Sequence, residues 1–224
     1  IFNLTGGFKS LQGILNTVGT FYADRMIYIF QTGPELITIP RLPVKLDSDL
    51  FRHKPSRFLR LAALDRVEEA TLPADVFSDV PDTLIDVVDG RVYSFSAWGR
   101  LLWNQERRSL LKRKEIFDLP RLDATPRFTK DLRKATHDQR RRLYETLAVV
   151  SLLLEMSDGD TAPLKKNSSL QYSIYSDRTT DEGEPIGHFQ LHEEKEGRRV
   201  SCVASHDALK LRRFGRHDEV NKNP

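Results

Sequence analysis

A pair of glycines between an apolar segment and an amphipathic helix constrains the fold of this chain more than any other feature. The sequence starts IFNLTGGFKS, in which Ile1–Leu4 is typical of a strand end and Thr5–Gly7 of a tight turn. A helical apolar pattern follows, and then two apolar strands, MIYIFQTG and ELITIPRLPV. This order predicts an α/β unit with a parallel sheet. Because so short a stretch supplies only part of such a sheet, we expect further strands from a segment that precedes Ile1.

The glycine turn is a candidate anion site. Free backbone N–H groups and the positive end of a helix dipole favour a phosphate at such a turn. Thr5 adds a hydroxyl and Lys9 adds a positive charge one turn into the helix. The motif lacks the spacing of a P-loop or of a dinucleotide fingerprint. Taken alone, it leaves anion binding and a simple tight turn equally open.

The pattern Asn-x-Thr-Gly-Gly-Phe-Lys, followed by a helix, a Tyr-Ile-Phe strand and a strand ending in PRLPV, resembles the second half of a CARF domain. CARF domains are Rossmann-like sensors of type III CRISPR systems that bind cyclic oligoadenylates as homodimers. The resemblance covers Ile1 to about Asp47 and lacks the family's first glycine motif. It implies a homodimer with a cyclic oligoadenylate activator, cyclic tetra-adenylate being the first candidate. The implied ligand-binding residues are Asn3, Thr5, Gly6, Gly7 and Lys9.

A mainly helical zone is predicted for residues 47–118, after a first domain at 1–46. FLRLAALDRVEEA is predicted as one helix and VVDGRVYSFS as a hairpin with an Asp-Gly turn. SAWGRLLWNQERRSLLKRKEIF is predicted as a long helix capped by Ser96. Helices with a small hairpin fit either a winged-helix-like DNA-binding module or a structural linker. The core positions expected on the long helix are Trp98, Leu101, Leu102 and Leu110.

The last zone, residues 119–224, is predicted as an α+β domain, so the fold class of the chain is α/β plus α+β. FTKDLRKATHDQRRRLYETLAVVSLLLEM predicts a helical hairpin about His137–Asp138. Four strand candidates follow, SLQYSIYS, IGHFQLHEE, RRVSCVAS and ALKLRRFG, which predict an antiparallel sheet.

Basic residues are concentrated toward the end of the chain, although the formal net charge is only +3. Each cluster alone is typical of a solvated surface, whereas four clusters together favour a polyanionic partner. The clusters are Arg140–Arg142, Lys165–Lys166, Arg198–Arg199 and Lys210–Arg216. A basic sheet with His and Tyr side chains suits RNA cleavage without a metal ion, in which the 2′-hydroxyl attacks the neighbouring phosphate.

The order of elements, and the segments FTKDLRKATHDQRRRLYETLAVV and FGRHDEV, resemble the RelE family of ribosome-dependent messenger-RNA interferases from about Thr125 to Val220. The sequence departs from the family pattern at Asn221, where many members have Tyr, and at Tyr175, where a strand Lys is expected. The resemblance therefore leaves His188 or His217 as the proton carrier. The implied catalytic residues are Lys165, Lys166, Tyr175, His188, Arg213, Arg216 and His217.

Together the two resemblances imply a CARF–RelE fusion: a cytoplasmic, homodimeric endoribonuclease that cuts messenger RNA on the ribosome in type III CRISPR defence. Neither a metal nor a cofactor beyond the activator is expected. No apolar run reaches the roughly 18–20 residues of a membrane span, and Cys202, the single cysteine, fits a reducing compartment. Two alternatives remain open: a CARF-controlled winged-helix transcription regulator without nuclease activity, and an inactive RelE fold that docks on ribosomes.

Overall fold

The chain forms two compact units, residues Ile1–Ser48 and Asp49–Pro224, each with its own arrangement of helices and strands. A computed structural model describes residues 1–5, 9–29, 33, 35–41, 43, 49–64, 66–68, 77–112, 117–191 and 197–224. The mixed architecture confirms the predicted fold class, α/β plus α+β. The predicted division into three domains, with boundaries after residues 46 and 118, stays a prediction.

The first unit contains one helix on a small sheet. Its elements are β1 (Phe2–Asn3), α1 (Lys9–Tyr22), β2 (Arg25–Ile29) and β3 (Leu36–Pro40). β1 and β2 are parallel, with Phe2 opposite Met26, as the strand–helix–strand order predicts. β3 runs antiparallel to β2, which differs from the expected parallel sheet. The physical reason is length, because a parallel crossover needs a dozen or more residues and the chain between Ile29 and Leu36 is shorter.

The second unit contains seven helices and eight strands among the described residues. Its first part comprises α2 (Asp49–His53), α3 (Pro55–Leu64), β4 (Arg66–Glu68), β5 (Ile85–Val88), β6 (Val92–Phe95) and α4 (Ala97–Lys112). Its second part comprises β7 (Leu122–Ala124), α5 (Pro126–Lys134), α6 (His137–Met156), α7 (Ala162–Lys166), β8 (Ser173–Thr179), β9 (Pro185–Gln190), β10 (Arg198–Ala204), β11 (Leu209–Arg216) and α8 (His217–Lys222).

A three-stranded sheet of order β4-β6-β5 packs against α3 and α4 in the first part, and α2 packs on these two helices. The predicted Asp-Gly hairpin turn is confirmed, since Asp89 and Gly90 both have positive φ angles between β5 and β6. The prediction of one helix over FLRLAALDRVEEA is wrong in its second half. α3 ends at Leu64, and Arg66–Glu68 pairs with β6 instead, so a tertiary partner overrides local helix propensity.

Aromatic side chains fill the core beneath this small sheet. Phe58 lies 4.5 Å from Phe51 and 6.0 Å from Trp103 between ring centroids, and it stacks on Phe95 at 6.2 Å. Phe51, Phe58 and Trp103 are almost fully buried. The core therefore fixes α4, whose Trp103 belongs to this cluster, against the other helices.

The two predicted helices are confirmed as α5 and α6, with the break between them at Ala135–Thr136 rather than at His137–Asp138. However, α5 packs on β11 and α6 on α3 and α4, so their pairing as a hairpin stays a prediction. Thr136 and Gln139 form a capping box that starts α6. α3 and α4 pack on α6, and the buried Arg60 of α3 donates to Ser151 Oγ of α6 at 2.7 Å. The mainly helical segment therefore packs on α6, while α5 packs on the following sheet through β11. No helix among the described residues is long and apolar enough to cross a membrane.

A five-stranded sheet of order β7-β11-β10-β9-β8 forms the second layer of this part. β7 is parallel to β11 and the other neighbours are antiparallel. The row Phe189, Val200 and Phe214 runs across three strands and is buried, and Phe128 of α5 lies against Phe214. Because side chains alternate between the faces of a sheet, the residues next to this row belong to the opposite face.

Candidate functional site

The candidate ligand residues of the first unit lie at the carboxyl ends of the parallel strands β1 and β2. Asn3 Oδ1 accepts from the Thr5 N–H at 2.9 Å, and Thr5 Oγ1 accepts from the Ile29 N–H at 2.9 Å. Both side chains therefore fix the local backbone, and both are exposed. The carboxyl ends of parallel strands are where α/β sheets bind ligands. Gly6, Gly7 and the side chain of Lys9 lie outside the described residues.

In the second unit, the sheet face opposite the buried row of Phe189, Val200 and Phe214 carries a row of polar residues. Ser173, His188, Ser201 and Arg213 lie directly opposite one another on β8, β9, β10 and β11. Tyr175 and Arg199 are two residues away along their own strands, so they share this face. The register of the strands thus brings together side chains that are far apart in the sequence.

α8 closes one corner of this polar face because Gly215 allows it to come close. A Cβ atom on Gly215 would lie 3.1 Å from Glu219 Oε2 and 3.5 Å from Val220 Cγ2. The His217 N–H donates to the Gly197 carbonyl at 3.0 Å, which holds the first turn of α8 against the start of β10. His217 and Asn221 lie four residues apart on α8 and therefore on the same side of it.

Tyr175 and His188 form a stacked pair on the polar face. Their ring centroids are 4.3 Å apart with an interplanar angle of 29°. Ser173 Oγ lies 3.1 Å from His188 Nε2, and His188 is only 8% exposed. Burial, with smaller contributions from the charges of Arg199 and His217, lowers the pKa of His188 to about 4. His188 is therefore neutral at pH 7 and supports the Tyr175 ring from below.

The side-chain amide of Asn221 connects the other members of the cluster. Its Oδ1 accepts from the Tyr175 hydroxyl at 2.5 Å and from Arg199 Nη1 at 3.1 Å. Its Nδ2 lies 3.1 Å from His217 Nε2. Since Tyr175 and Arg199 both donate, the oxygen must face them, and the amide nitrogen must face His217. We call Tyr175, His188, Arg199, His217 and Asn221 the Asn221 cluster.

His217 is held from both sides of its ring. Nδ1 lies 2.7 Å from Asp218 Oδ1, and a carboxylate only accepts, so Nδ1 carries the hydrogen in this arrangement. Nε2 then has a lone pair that accepts from Asn221. The imidazole is 45% exposed and Asp218 is 97% exposed. In this orientation Nε2 is the accepting nitrogen of the ring, and the Asn221 amide occupies it.

The cluster carries features that distinguish it from an ordinary surface. Burial raises the pKa of Tyr175, partly opposed by the hydrogen bond and charge of Arg199, so the phenol stays protonated at neutral pH. Three polar atoms beneath it, His188 Nδ1, Arg199 Nε and Ser201 Oγ, are buried without a partner among the described residues. Unpaired buried polar atoms are rare in folded proteins and require a specific explanation, of which a functional site is one.

Arg213 and Arg216 line a groove together with residues of α5 and Glu219 of α8. Arg213 is not free, because its Nε lies 2.6 Å from Asp131 Oδ2 and its Nη1 donates to the Asn223 carbonyl at 3.0 Å. Asp131 also accepts from the Phe214 N–H at 3.3 Å. Arg213 therefore helps fix the edge of β11, whereas Arg216 is exposed.

The predicted catalytic residues thus lie at three different sites, and Arg213 and Arg216 are those at the groove. Tyr175, His188 and His217 share the Asn221 cluster. Lys165 and Lys166 are exposed at the end of α7, and no hydrogen bond or ion pair among the described residues joins them to the cluster.

Arg199 and Asn221 were absent from the predicted catalytic set, although the structure connects both to it. The i,i+4 spacing of His217 and Asn221 was a usable signal for one of them. Arg199 had no local signal, because only the strand register puts it beside Tyr175.

Arg140 of the basic run Arg140–Arg142 has a structural place. It is buried, with Nε donating to the Leu111 carbonyl at 2.7 Å and Nη1 donating to the Ala135 carbonyl. Arg141 and Arg142 pair with Asp138. These contacts neutralise much of a cluster that the sequence assigned to a polyanionic partner.

α4 packs into the core of the second unit. Leu102 and Leu110 are buried as predicted, and Trp98 and Leu101 are half-buried. The buried Trp103 fixes the helix in the aromatic core. This packing does not favour α4 as a DNA-recognition helix, so the winged-helix regulator gains no support.

Comparison with known proteins concerns the first unit. Residues 1–42 match the family described as CRISPR-associated protein (Cas_APE2256). No protein with a curated function matches the chain. The family match indicates a CRISPR-associated protein, and it ends before the second unit begins.

Proposed function

We propose that this protein is a CRISPR-associated endoribonuclease that cuts messenger RNA on the ribosome when its first unit binds a cyclic oligoadenylate. The observation that carries the proposal is the Asn221 cluster, which unites a phenol, a guanidinium and an oriented imidazole on the open face of an antiparallel sheet. The family match of residues 1–42 supports the CRISPR setting. The RelE-like and CARF-like resemblances of the sequence supply the substrate and the activator.

The chemistry that fits this set of side chains is attack by a ribose 2′-hydroxyl on the adjacent phosphate. A base removes the 2′-hydroxyl proton, the new O–P bond forms, the bond to the 5′-oxygen breaks, and an acid protonates that oxygen. The products are a 2′,3′-cyclic phosphate and a free 5′-hydroxyl. Each proton transfer by a placed side chain contributes about 100- to 10,000-fold in rate.

His217 is the proposed base, because Asp218 fixes the tautomer in which Nε2 is the acceptor, and the 2′-hydroxyl would replace the Asn221 amide at that nitrogen. Tyr175 is the proposed acid, since its raised pKa keeps it protonated. Arg199 carries the guanidinium that stabilises charge growing on the phosphate. His188 is buried beneath Tyr175 and is assigned a supporting role instead of proton transfer. Asn221 holds the three reacting groups in register.

In the first unit, Thr5 and Asn3 shape the turn at the strand ends, and the backbone of Gly6 and Gly7 with Lys9 would hold ligand phosphates. The proposal includes a homodimer, with the ligand on its two-fold axis. Large apolar side chains of this unit are exposed and are available for a second copy. They are Ile14, Leu15, Ile29, Leu36 and Ile37.

The test is cleavage of a reporter messenger RNA on translating ribosomes, with and without cyclic tetra-adenylate, with the cut ends mapped chemically. We expect cleavage only with the activator, and products that carry 2′,3′-cyclic phosphates. His217→Ala should lower the rate about 100-fold or more. His206→Ala is the matched control, because His206 is exposed in the turn between β10 and β11. Products with 5′-phosphates, or equal rates for the two variants, would contradict the mechanism.

A further inference from the structure

A groove of about 420 Å³ lies beside α8, between the end of α5 and the end of β11. We call it the α5–β11 groove. We propose that it binds the phosphate backbone of the RNA strand next to the cleaved bond, an inference that rests on the proposed nuclease function. The lining residues used below are Asp131, Lys134, Arg198, Arg213, Arg216 and Glu219.

The charge of the α5–β11 groove suits an anion. Four of its lining side chains are cationic and two are carboxylates. Both carboxylates are already engaged: Asp131 with Arg213 and the Phe214 N–H, and Glu219 with the Arg216 N–H at 3.3 Å. Lys134 and Arg216 are exposed at the groove. Asp131 and Arg213 neutralise each other, but four cations against two carboxylates still leave the lining net positive, which attracts a negatively charged ligand.

The lining also favours a phosphate backbone over a peptide. Apolar contacts come only from Ala135 and Phe214 among the lining residues, and both are buried. A peptide partner of useful affinity needs apolar anchors in well-packed pockets. A single-stranded nucleic acid needs only a positive groove that follows its backbone, with aromatic or polar groups beside it.

The position of the groove ties it to the Asn221 cluster. Arg198 and Arg216 lie opposite each other in the sheet and line the groove. Their next neighbours in the chain, Arg199 and His217, belong to the Asn221 cluster. Successive Cα atoms are about 3.8 Å apart. Because Arg198 and Arg199 point to opposite faces of the sheet, a strand whose reacting phosphate meets Arg199 and His217 reaches the groove by passing around the ends of β10 and β11.

The test is binding of an uncleavable single-stranded RNA of about 12 nucleotides, a length within the usual site sizes, made with 2′-O-methyl ribose. Lys134→Glu is the informative variant, and Lys130→Glu is its matched control. Both lysines are exposed on α5 and both changes alter the net charge equally, but only Lys134 lines the groove. We expect Lys134→Glu to weaken binding roughly tenfold and to reduce the salt slope by about 0.7, the value for one lost phosphate contact on a single strand.

Lys134→Gln should show an intermediate loss, which guards against an effect of Glu on the end of the helix. In cleavage assays, Lys134→Glu should raise KM and leave kcat nearly unchanged. Equal losses of RNA affinity for Lys134→Glu and Lys130→Glu would overturn the proposal that the groove binds RNA. A wild-type protein that binds no RNA would overturn it as well. If an oligoglutamate peptide binds in a way that depends on Lys134 and RNA does not bind in that way, the ligand of the groove is an acidic peptide and the RNA proposal is overturned. RNA binding that depends on Lys134, without cleavage under any condition, would support the groove and contradict the nuclease.

Discussion

The Tyr175 hydroxyl donates to Asn221 Oδ1 at 2.5 Å, although the two residues are 46 positions apart in the sequence. The same oxygen accepts from Arg199, and the amide nitrogen lies against His217. One side chain on α8 therefore sets the positions of three groups that come from two strands and from α8 itself. Its role in the proposed reaction is to position them, since its own amide neither gains nor loses a proton.

Replacing Asn221 with Leu should lower kcat for RNA cleavage about 10- to 100-fold, the effect that outer positioning groups have at other sites. Leu has a similar size but offers neither acceptor nor donor, so Tyr175, Arg199 and His217 lose their common partner. KM should change little, because phosphate binding relies on charge. Steady-state kinetics on translating ribosomes measure both parameters.

Asn221→Asp and Asn223→Leu make this experiment specific. Asp keeps the acceptor for Tyr175 and Arg199, removes the donor to His217 and adds a negative charge, so its rate reports the loss of the His217 contact together with that charge. Asn223 is exposed and contributes only its carbonyl, to Arg213, so Asn223→Leu should cleave at the wild-type rate. An Asn221→Leu enzyme with unchanged kcat would remove Asn221 from the positioning role.

The local patterns of the chain were readable from the sequence because they depend on neighbouring residues. Apolar spacing predicted α5 and α6, Asp89-Gly90 predicted the hairpin, and Ser96 predicted the start of α4, where its Oγ accepts from the Gly99 N–H at 3.0 Å. Each of these features is decided within a few residues. Their signals therefore survive without knowledge of the tertiary structure.

Features that depend on distant partners were not readable. Arg66–Glu68 becomes a strand only because β6 lies beside it. The burial of Arg140 depends on carbonyls at the ends of α4 and α5. Tyr175 and His217 were named from a family pattern, but their connection through Asn221 requires the register of the sheet and the approach of α8 to Gly215. Whether these residues catalyse a reaction stays a prediction.

Lys9→Ala should weaken binding of cyclic tetra-adenylate by about 1.5–3 kcal/mol, the range for a hydrogen bond to a charged group. Lys9 is the first residue of α1 and follows the Gly6–Gly7 pair by two positions in the sequence. Arg25→Ala is the charge-matched control, because Arg25 begins β2 and so lies at the opposite end of the strand from Ile29. Isothermal calorimetry measures both. Equal affinities for the two variants would exclude Lys9 from the ligand site.

Arg140→Ala should lower the free energy of unfolding by about 2–4 kcal/mol, because it leaves two buried carbonyls, of Leu111 and Ala135, without their charged donor. Arg142→Ala should cost at most about 1 kcal/mol, as is usual for a partly exposed ion pair. Urea denaturation gives both values. Similar losses for the two variants would mean that Arg140 does not cap these helix ends. The expected result also rules out charge reversal across Arg140–Arg142 as a test of ribosome contact, since such a change would unfold the protein.

His188 should make stability fall as the pH is lowered. Burial holds its pKa at about 4 in the folded protein, against an ordinary value of 6.5. Between these two values the unfolded chain binds a proton that the folded chain does not, so stability rises with pH through this window and is lost as pH falls. The full contribution is on the order of 3 kcal/mol, from about 1.4 kcal/mol for each pKa unit.

The comparison variant is His188→Phe, which keeps an aromatic ring beneath Tyr175 and removes the titrating group. Urea denaturation at several pH values between 4 and 6.5 should give a steeper fall in stability for the wild type than for His188→Phe. The difference between the two curves isolates His188 from the other groups that titrate in this range. The Ser173 hydroxyl, which loses its partner in the variant, lowers stability by a similar amount at each pH and does not alter the slope. Parallel curves would show that His188 gains its proton in the folded protein as readily as in the unfolded chain, and the stacked pair would then lie open to solvent.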